Sequence, residues 1–338
     1  MNSLSQIIER VRGLQLDALL GLRPPYPPVA LEVDRGQVTL VRLKLRRRAK
    51  PLLEAHAVRS LPEEAIPASI FQPAGGTIEG IATPFRELFE RSGTRPGRVS
   101  LILPDNLAKV SLIHLPERPA SARQLDELVR ARMRRAVPFR LEEAVISYQV
   151  IPGAGRQIAV LVLLARKALI ERYEHALESI GARVGLVDVS TPNLINLCHK
   201  RLGETSRGGK DAALLNCAAN YFSLVIVRDE RVIFFRCKTF APGTTSSHDA
   251  NGFLAREVSG SLSYYREKLA GRKIETLLVR SVQAPFEEVS AKLDELELAT
   301  IEPISPADEV DLPPGTRFET SVGVRLAPAI GAAVSRGR

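Results

Sequence analysis

The clearest pattern of apolar and polar positions lies between residues 115 and 150, where helical spacing gives way to a strand, ISYQV. The pattern predicts a helix over residues 121–137 with one buried face. Ser121 and Gln124 form a capping pair at its start. Pro138 ends it, because the residue before a proline avoids the helical conformation. The buried face comprises Leu125, Leu128, Val129, Met133 and Val137.

Consecutive β runs open each half of the chain. VALEV and QVTLVRLKL are joined by Asp34, Arg35 and Gly36, which predicts a hairpin. After a polar loop over residues 204–211 the pattern restarts with AALLNC, FSLVIV and RVIFF. The sequence therefore predicts an α/β protein of two duplicated halves. Further strands are predicted at 99–103, 158–165, 183–189 and 276–279, and further helices at 81–91, 169–180, 286–296 and 325–334.

Local residue types predict where two further helices begin. Thr191 and Pro192 follow a strand, and a cap followed by proline at the first helical position predicts a helix start. A polar loop over residues 241–252 precedes another helix. At the N-terminus, residues 4–20 form an amphipathic helix followed by a proline spacer. That helix could lie on a membrane surface, dock on a partner helix or pack on its own domain.

The composition is that of a globular protein of two domains. The chain has 338 residues, of which 45% are hydrophobic and 25% are charged. Its net charge of +9 suits either an anionic partner, such as a membrane surface or nucleic acid, or a plain solvated surface. The arginines of the predicted helix 121–137 lack interleaved aromatic residues for base stacking, which argues against nucleic acid.

Several classes of site and location are not indicated. The three cysteines are odd in number and lie in apolar runs, which predicts free, buried thiols in a reducing compartment. The histidines lack paired ligand spacing, and neither a Walker loop nor a nucleophile elbow occurs. No apolar run reaches the length of about 18 residues that a membrane span needs. We expect a cytoplasmic protein without a metal site.

Several segments in collinear order resemble the PilM family, actin-like and FtsA-related scaffolds on the cytoplasmic side of type IV pilus machines. VALEVDRGQVTLVRL resembles the first phosphate hairpin, and LPERPASARQLDELVRARMRRAVPF resembles the insertion helix. AALLNCAANYFSLVIVRDERVIFFRCKTFAPG is similar to the second phosphate hairpin, and APAIGAAV to the terminal helix. The likeness covers residues 29–334. It implies a two-domain actin-like fold with an inserted α+β subdomain in the first half.

The resemblance also implies domain boundaries. Residues 1–28 form the N-terminal helix and spacer, and residues 29–98 with 182–205 form the first core subdomain. Residues 99–181 form the insertion. Residues 206–338 form the second domain, whose C-terminal helix packs back.

The positions that match the family's nucleotide pocket depart from its pattern. An Asp-hydrophobic-Gly opening is expected in the first hairpin, and the second is expected to carry Asp and Gly. The third, glycine-rich signature should follow TLLV, where this chain has RSVQ. A carboxylate in the path of a polyphosphate is unfavourable by on the order of several kcal/mol. The matching positions are Glu32, Asp34, Arg35, Gly36 and Thr39 in the first hairpin, and Asn216 and Ala218 in the second.

These departures predict that magnesium-ATP binds weakly or not at all and is not hydrolysed. The alternative is an actin-fold protein that retains a nucleotide-dependent switch. Asp188 lies near the segment that connects the domains in the family. It either touches a ligand or caps and turns the chain before the next helix.

The resemblance implies a non-enzymatic scaffold, peripheral to the inner membrane, that binds the cytoplasmic N-terminal peptide of a PilN-like bitopic protein. Other pilus platform and motor proteins are the further partners expected. The peptide groove would lie between the first core subdomain and the insertion, bordered by Arg132, Arg135, Pro138 and Phe139. The alternative scaffold is a GspL-like protein of type II secretion.

Overall fold

The computed structural model describes most of the chain as two halves with an insertion. The predicted helix over residues 4–20 lies outside the described residues, as does most of the proline spacer. The described residues are 27–47, 49–73, 75–153, 155–240, 247–296, 298, 300–313 and 319–334. The strands are β1 (Val29–Asp34), β2 (Gln37–Lys44), β3 (Leu52–Ser60), β4 (Arg98–Leu103), β5 (Ala108–Leu115), β6 (Ala144–Pro152), β7 (Ile158–Arg166), β8 (Arg183–Val189), β9 (Asp211–Cys217), β10 (Tyr221–Arg228), β11 (Arg231–Thr239), β12 (Ile274–Ser281) and β13 (Ile301–Pro303). The helices are α1 (Ile78–Ser92), α2 (Ala122–Arg134), α3 (Lys167–Glu178), α4 (Ser190–Leu197), α5 (His199–Thr205), α6 (Ser247–Lys268), α7 (Phe286–Leu293) and α8 (Thr320–Val334).

The two halves contain five-stranded sheets of the same topology, β3-β2-β1-β4-β8 and β11-β10-β9-β12-β13. In each sheet the antiparallel hairpin comes first along the chain, and its inner strand pairs in parallel with a later strand. β1 and β9 are buried along nearly their whole length, as their continuous apolar runs require of central strands covered on both faces. The predicted duplicated α/β architecture is confirmed.

Helix α8 packs between the halves. It contacts α4, β1 and β2 of the first half, and its apolar side chains share one core with residues of β9 and β12. Gly331 permits the close approach to α4, because a Cβ at this position would collide with the carbonyl group of Asn193. The last helix of the chain therefore lies against the cleft between the two sheets.

The insertion is smaller than the sequence indicated. Its sheet has the order β5-β7-β6, and α2 covers one face through a separate apolar core. Residues 98–103 form β4, which lies between β1 and β8 in the first sheet. Helix α3 packs on α1 in the first half. The predicted bounds 99–181 are therefore wrong at both ends. The apolar pattern of a strand such as β4 does not reveal which of the two sheets the strand joins.

Three predicted element boundaries also change. Helix α2 ends at Arg134, and a turn leads on to Pro138. Helix α4 begins at Ser190, so Thr191 lies inside the first turn and does not act as the cap. Part of the predicted polar loop is helical, since α6 begins at Ser247. Strands β3 and β13 and helix α5 were not predicted.

Candidate functional site

The carboxyl ends of the central strands of both sheets meet in a buried cleft. Glu32 on β1 comes from the first half, and Asn216 on β9 and Arg280 on β12 come from the second. Asp105, in the turn after β4, completes the polar centre. All four side chains are at most 1% exposed, so each must find its partners inside the protein.

Arg280 spans the cleft from the second half to the first. Its Nη2 lies 3.2 and 3.4 Å from the two carboxyl oxygens of Glu32, and its Nη1 donates to Asn216 Oδ1 at 3.1 Å. Its Nε donates to the carbonyl of Val324 on α8 at 2.9 Å. One guanidinium thus joins both sheets and the helix that packs between them.

Asp105 makes the second connection between the halves. Its carboxylate accepts hydrogen bonds from the backbone and hydroxyl of Thr191 in the first half, with 2.9 Å for the backbone bond. It also accepts from Ser223 Oγ on β10 of the second half at 2.6 Å. Asn216 Nδ2 donates to Thr191 Oγ1 at 3.0 Å. Ser190 Oγ donates to Glu32 Oε1 at 3.1 Å. We call the following residues the cleft network: Glu32, Asp105, Ser190, Thr191, Asn216, Ser223 and Arg280.

Burial shifts the acids of the cleft towards their neutral forms. Desolvation raises the pKa of Glu32 to about 8, although Arg280 opposes the shift. The pKa values of Asp34 and Asp105 are raised for the same reason, and that of Asp188 rises to about 6. Burial thus favours the neutral form of each of these acids.

The predicted residues of the first hairpin include both buried and outward-facing side chains. Asp34 is 2% exposed and its Oδ1 accepts from the backbone of Arg35 at 2.8 Å. Asp34 Oδ2 and Thr39 Oγ1 are buried and find no hydrogen-bond partner among the described residues. Arg35 lies outside the cleft, because its Nη2 reaches outward to Glu63 at 3.1 Å. Gly36 has φ +78°, so the turn itself explains the glycine.

The other predicted pocket residues make local contacts. Asp188 Oδ1 accepts from the backbone of Val189 at 2.8 Å, which is the turning role considered from the sequence. The backbone of Ala218 donates to the carbonyl of Tyr221 at 2.9 Å and closes the second hairpin turn. Of the predicted pocket residues, Asn216 and Glu32 belong to the cleft network.

A magnesium-nucleotide complex in this cleft would meet acidic side chains and a guanidinium that is already bonded. A polyphosphate in the cleft would face Asp34 and Asp105, which would repel it or have to be neutral. The buried guanidinium of Arg280 is already engaged by three acceptors. In the part of the chain that the structure describes, no cluster of three His, Cys, Asp or Glu residues could hold a metal ion.

A partly exposed surface lies where the first half meets the insertion. The guanidinium carbon of Arg166 lies 4.2 Å from the ring centroid of Phe139, and Arg166 Nε donates to the carbonyl of Ile70 at 2.8 Å. Ile70 is buried in the core of the insertion, whereas its neighbour Phe71 is 52% exposed. We call Ile70, Phe71, Phe139 and Arg166 the junction surface.

The predicted partner-binding residues separate into two groups. Phe139 lies in the junction surface, and Pro138 is exposed beside it in sequence. Arg132 and Arg135 are exposed on and just beyond α2, and neither forms an ion pair with any described residue. They remain available to an acidic partner, while the structure gives them no contact with the junction surface.

Several residues of the cleft network and of the junction surface were not predicted from the sequence. Asp105 follows a buried strand at its carboxyl end, which is a signal for a site residue in α/β folds. Thr191 and Ser223 carry no signal of their own, because isolated hydroxyls in buried elements are common. Phe71 is an isolated aromatic residue, and Arg166 is the last residue of β7. Neither stands out in the sequence, and only the fold brings them together.

The cysteines and the lengths of the helices bear on two further predictions. Cys198, Cys217 and Cys237 are all free thiols, two of them buried, and burial raises the pKa of Cys198 and Cys217 to about 12. Among the described helices, none is long and apolar enough to cross a membrane.

The paired sheets, the cleft between them and the inserted subdomain define an actin-like protein. The chain belongs to the family described as type IV pilus assembly protein PilM, whose match covers residues 31–248. No curated protein sequence matches the chain.

Solved structures with similar folds include a PilM-PilN type IV pilus biogenesis complex, at a TM-score of 0.75 and 21% identity. The match covers 92% of this chain and 98% of that one. The cytoplasmic domain of EpsL, an inner-membrane component of the type II secretion system of Vibrio cholerae, gives a TM-score of 0.48 at 11% identity, covering 91% and 94%. An actin-like ATPase-fold protein of unknown function from Bacteroides thetaiotaomicron gives 0.47 at 10%, covering 84% and 91%.

Proposed function

We propose that the protein is a non-enzymatic scaffold of a type IV pilus assembly machine that binds the cytoplasmic N-terminal peptide of a PilN-like inner-membrane protein. The observation that carries the proposal is the family match over residues 31–248, which includes the whole insertion and the hairpins of both halves. The solved structure with a TM-score of 0.75 is itself a complex of PilM with PilN.

The junction surface offers the features that an extended peptide needs. Strand β6 is the edge of the insertion sheet, and it begins where Ala144 pairs with Arg166. An edge strand can accept main-chain hydrogen bonds from an added strand, and neighbouring side-chain pockets supply specificity. Arg166 contacts the ring of Phe139 and the carbonyl of Ile70 at this edge, and the exposed Phe71 follows Ile70 in the chain. The peptide would thus dock between the first half and the insertion.

The cleft supports a scaffold that acts without nucleotide turnover. Glu32 and Arg280 lie across the cleft from each other and are both fully buried. Because the cleft network already joins the halves, closure requires no bridging ligand. We propose that neither ATP nor magnesium is a cofactor of the protein.

The place of action follows from the partner. A bitopic inner-membrane protein with a cytoplasmic peptide would hold the scaffold at the inner face of the membrane. The exposed, unpaired Arg132 and Arg135 would favour the same place, since a cation near an anionic leaflet contributes about 1 kcal/mol. Other platform and motor proteins of the machine would join the scaffold there.

The proposal is tested by titrating the full chain with the synthetic N-terminal cytoplasmic peptide of the PilN-like protein from the same genome. We expect saturable binding, and a loss of affinity of about tenfold or more for Phe139→Ala, as for an anchor residue. Tyr264→Ala is the matched control, because Tyr264 is an exposed aromatic residue of α6 in the second half. Absence of binding by the wild-type protein would contradict the proposal, as would unchanged binding by a folded Phe139→Ala variant.

A further inference from the structure

Two adjacent residues connect the cleft network to the junction surface. Asp105 faces the cleft, where it accepts hydrogen bonds from Thr191 of the first half and Ser223 of the second. Asn106 faces the opposite way: its Nδ2 donates to the carbonyl of Ala68 at 2.8 Å, and its own carbonyl accepts from the backbone of Ile70 at 2.9 Å. The short turn Asp105–Leu107 thus touches both places.

The segment over residues 68–72 has no secondary structure that would hold it independently. Its internal bonds are local, such as the 3.3 Å bond from the backbone of Phe71 to Ser69 Oγ. Its backbone is attached to the rest of the described protein through Asn106 and Arg166. The position of the exposed Phe71 ring therefore depends on the turn Asp105–Leu107, together with Arg166 and the packing of Ile70 in the core of the insertion.

The second half of the protein helps to fix that turn. Ser223 Oγ lies 2.6 Å from Asp105, and Asn220 Oδ1 of the second half lies 3.5 Å from Asn106 Nδ2. Leu107 is fully buried in the core of the first half and anchors the other end of the turn. If the halves separated, Asp105 would lose a donor and the turn would lose its contacts on one side.

We propose that the closed cleft network holds the segment 68–72 in its partner-binding conformation, with the turn Asp105–Leu107 as the connecting element. This inference rests on the proposed function for the identity of the partner peptide. The mechanical connection itself requires no partner. In this arrangement the chain's own side chains keep the cleft closed, and closure prepares the junction surface for an extended apolar peptide.

The connection is tested first without peptide, by amide hydrogen exchange of the full chain. Ser223→Ala removes one donor to Asp105, and we expect it to speed exchange over residues 68–72 by about five- to tenfold, the effect of losing one ordinary hydrogen bond. Asn106→Ala should speed exchange over the same residues and leave β9 and β10 protected. Ser261→Ala is the matched control, since Ser261 is a buried serine of the second half that bonds only within α6.

Wild-type exchange over residues 68–72 in Ser223→Ala, together with faster exchange in Asn106→Ala, would overturn the proposed connection. Arg280→Met provides a stronger perturbation of the same network and should accelerate exchange over residues 68–72 further. If it opened the cleft and left that segment fully protected, the connection would likewise be refuted.

The second test is peptide affinity in the same variants. Ser223→Ala and Asn106→Ala should each weaken binding of the PilN-like peptide several-fold, and Ser261→Ala should leave it unchanged. Faster exchange over residues 68–72 with unchanged affinity would contradict a role in partner binding. If the wild-type protein bound no peptide, the proposed function would fail, while the exchange result would still decide whether the cleft and the segment are coupled.

Discussion

The first half of the protein meets its neighbours in two places of opposite character. In the cleft it meets the second half through polar groups that are at most 1% exposed and bonded to one another. At the junction surface it meets the insertion through aromatic rings, one of which is 52% exposed. The residues of the cleft network satisfy one another's hydrogen-bonding groups, whereas the junction surface leaves apolar area uncovered. This difference supports the proposal that the cleft stays closed and that the junction surface receives the partner.

The same contrast appears in the free energies involved. A buried pair such as Glu32 and Arg280 forms only after both groups have lost their water, so its net contribution to stability is small. Removing one member is costly, because the other remains buried and uncompensated. An exposed aromatic ring has little effect on folding and a large effect on binding. Variants can therefore perturb the two places separately.

The largest effect is expected from Arg280→Met. The substitution leaves Glu32, Asn216 Oδ1 and the carbonyl of Val324 without their shared donor in a dry site. We expect the free energy of unfolding to fall by about 3–5 kcal/mol in chemical denaturation. Arg201→Met removes an arginine whose partner, Glu302, also lies near the surface, and should change stability by less than about 1 kcal/mol. Equal losses in the two variants would show that the cleft pair has no special role.

Met133→Ala perturbs the insertion. Met133 is 1% exposed in the separate core of that subdomain, and truncating it should lower the free energy of unfolding by about 2–4 kcal/mol. Peptide binding should weaken, while hydrogen exchange of β9 and β10 keeps its wild-type rate. Met133→Leu, which conserves volume, should lose less than about 1.5 kcal/mol. Faster exchange throughout the cleft would show that the two places share one cooperative unit.

A pH dependence should distinguish the cleft from the junction surface. The pKa of Glu32 is about 8 in the folded protein against 4.5 ordinarily, so the folded state binds a proton more tightly than the unfolded state. The contribution of Glu32 to the free energy of unfolding is therefore largest below pH 4.5, and it is lost as the pH rises from 4.5 to 8. We expect a decrease of about 1–3 kcal/mol from Glu32.

Between pH 6 and 8, Glu32→Gln should reduce this dependence by the part that Glu32 contributes, while Asp34, Asp105 and Asp188, whose pKa values burial also raises, keep the remainder. The check is denaturant unfolding of both proteins across that range. If the free energy of unfolding changed equally with pH in wild type and variant, the pH dependence could not be assigned to Glu32.

The smallest effect on folding is expected from Phe71→Ala. Because the ring is half exposed, the free energy of unfolding should change by no more than about 0.5 kcal/mol. Peptide affinity should fall by about 1–2 kcal/mol, as for an anchor of moderate strength. Leu45→Ala truncates another exposed apolar residue, one that follows β2, and should change neither quantity. Calorimetric titration measures both variants, and equal affinities would remove Phe71 from the binding surface.

The fold could be predicted largely from the sequence because its signals are local. The two-residue turn of the first hairpin, the capped α2 helix and the restart of the strand pattern after residue 211 all depend on neighbouring residues. The boundaries of the insertion could not be predicted, because β4 looks the same in either sheet. Strand β3 carries no clean alternation, since its exposed and buried positions are mixed.

The candidate site was only half predictable. Departures at Glu32, Asn216 and Arg280 indicated that a nucleotide pocket had lost its usual residues. The sequence could not show that Arg280 and Glu32, 248 residues apart, compensate each other across the cleft. Nor could it bring Ile70 and Phe139 together at Arg166, because that proximity depends on Ile70 entering the core of another subdomain. Long-range pairing leaves no periodic signal in a single chain.

The most direct test of a cleft closed by its own side chains is a titration of the full chain with the PilN-like peptide, with and without saturating magnesium-ATP. We predict one dissociation constant under both conditions, because the cleft network already holds the halves together and the junction surface in place. Binding that appears only with magnesium-ATP would contradict this account and would show that a nucleotide, not Arg280, completes the cleft.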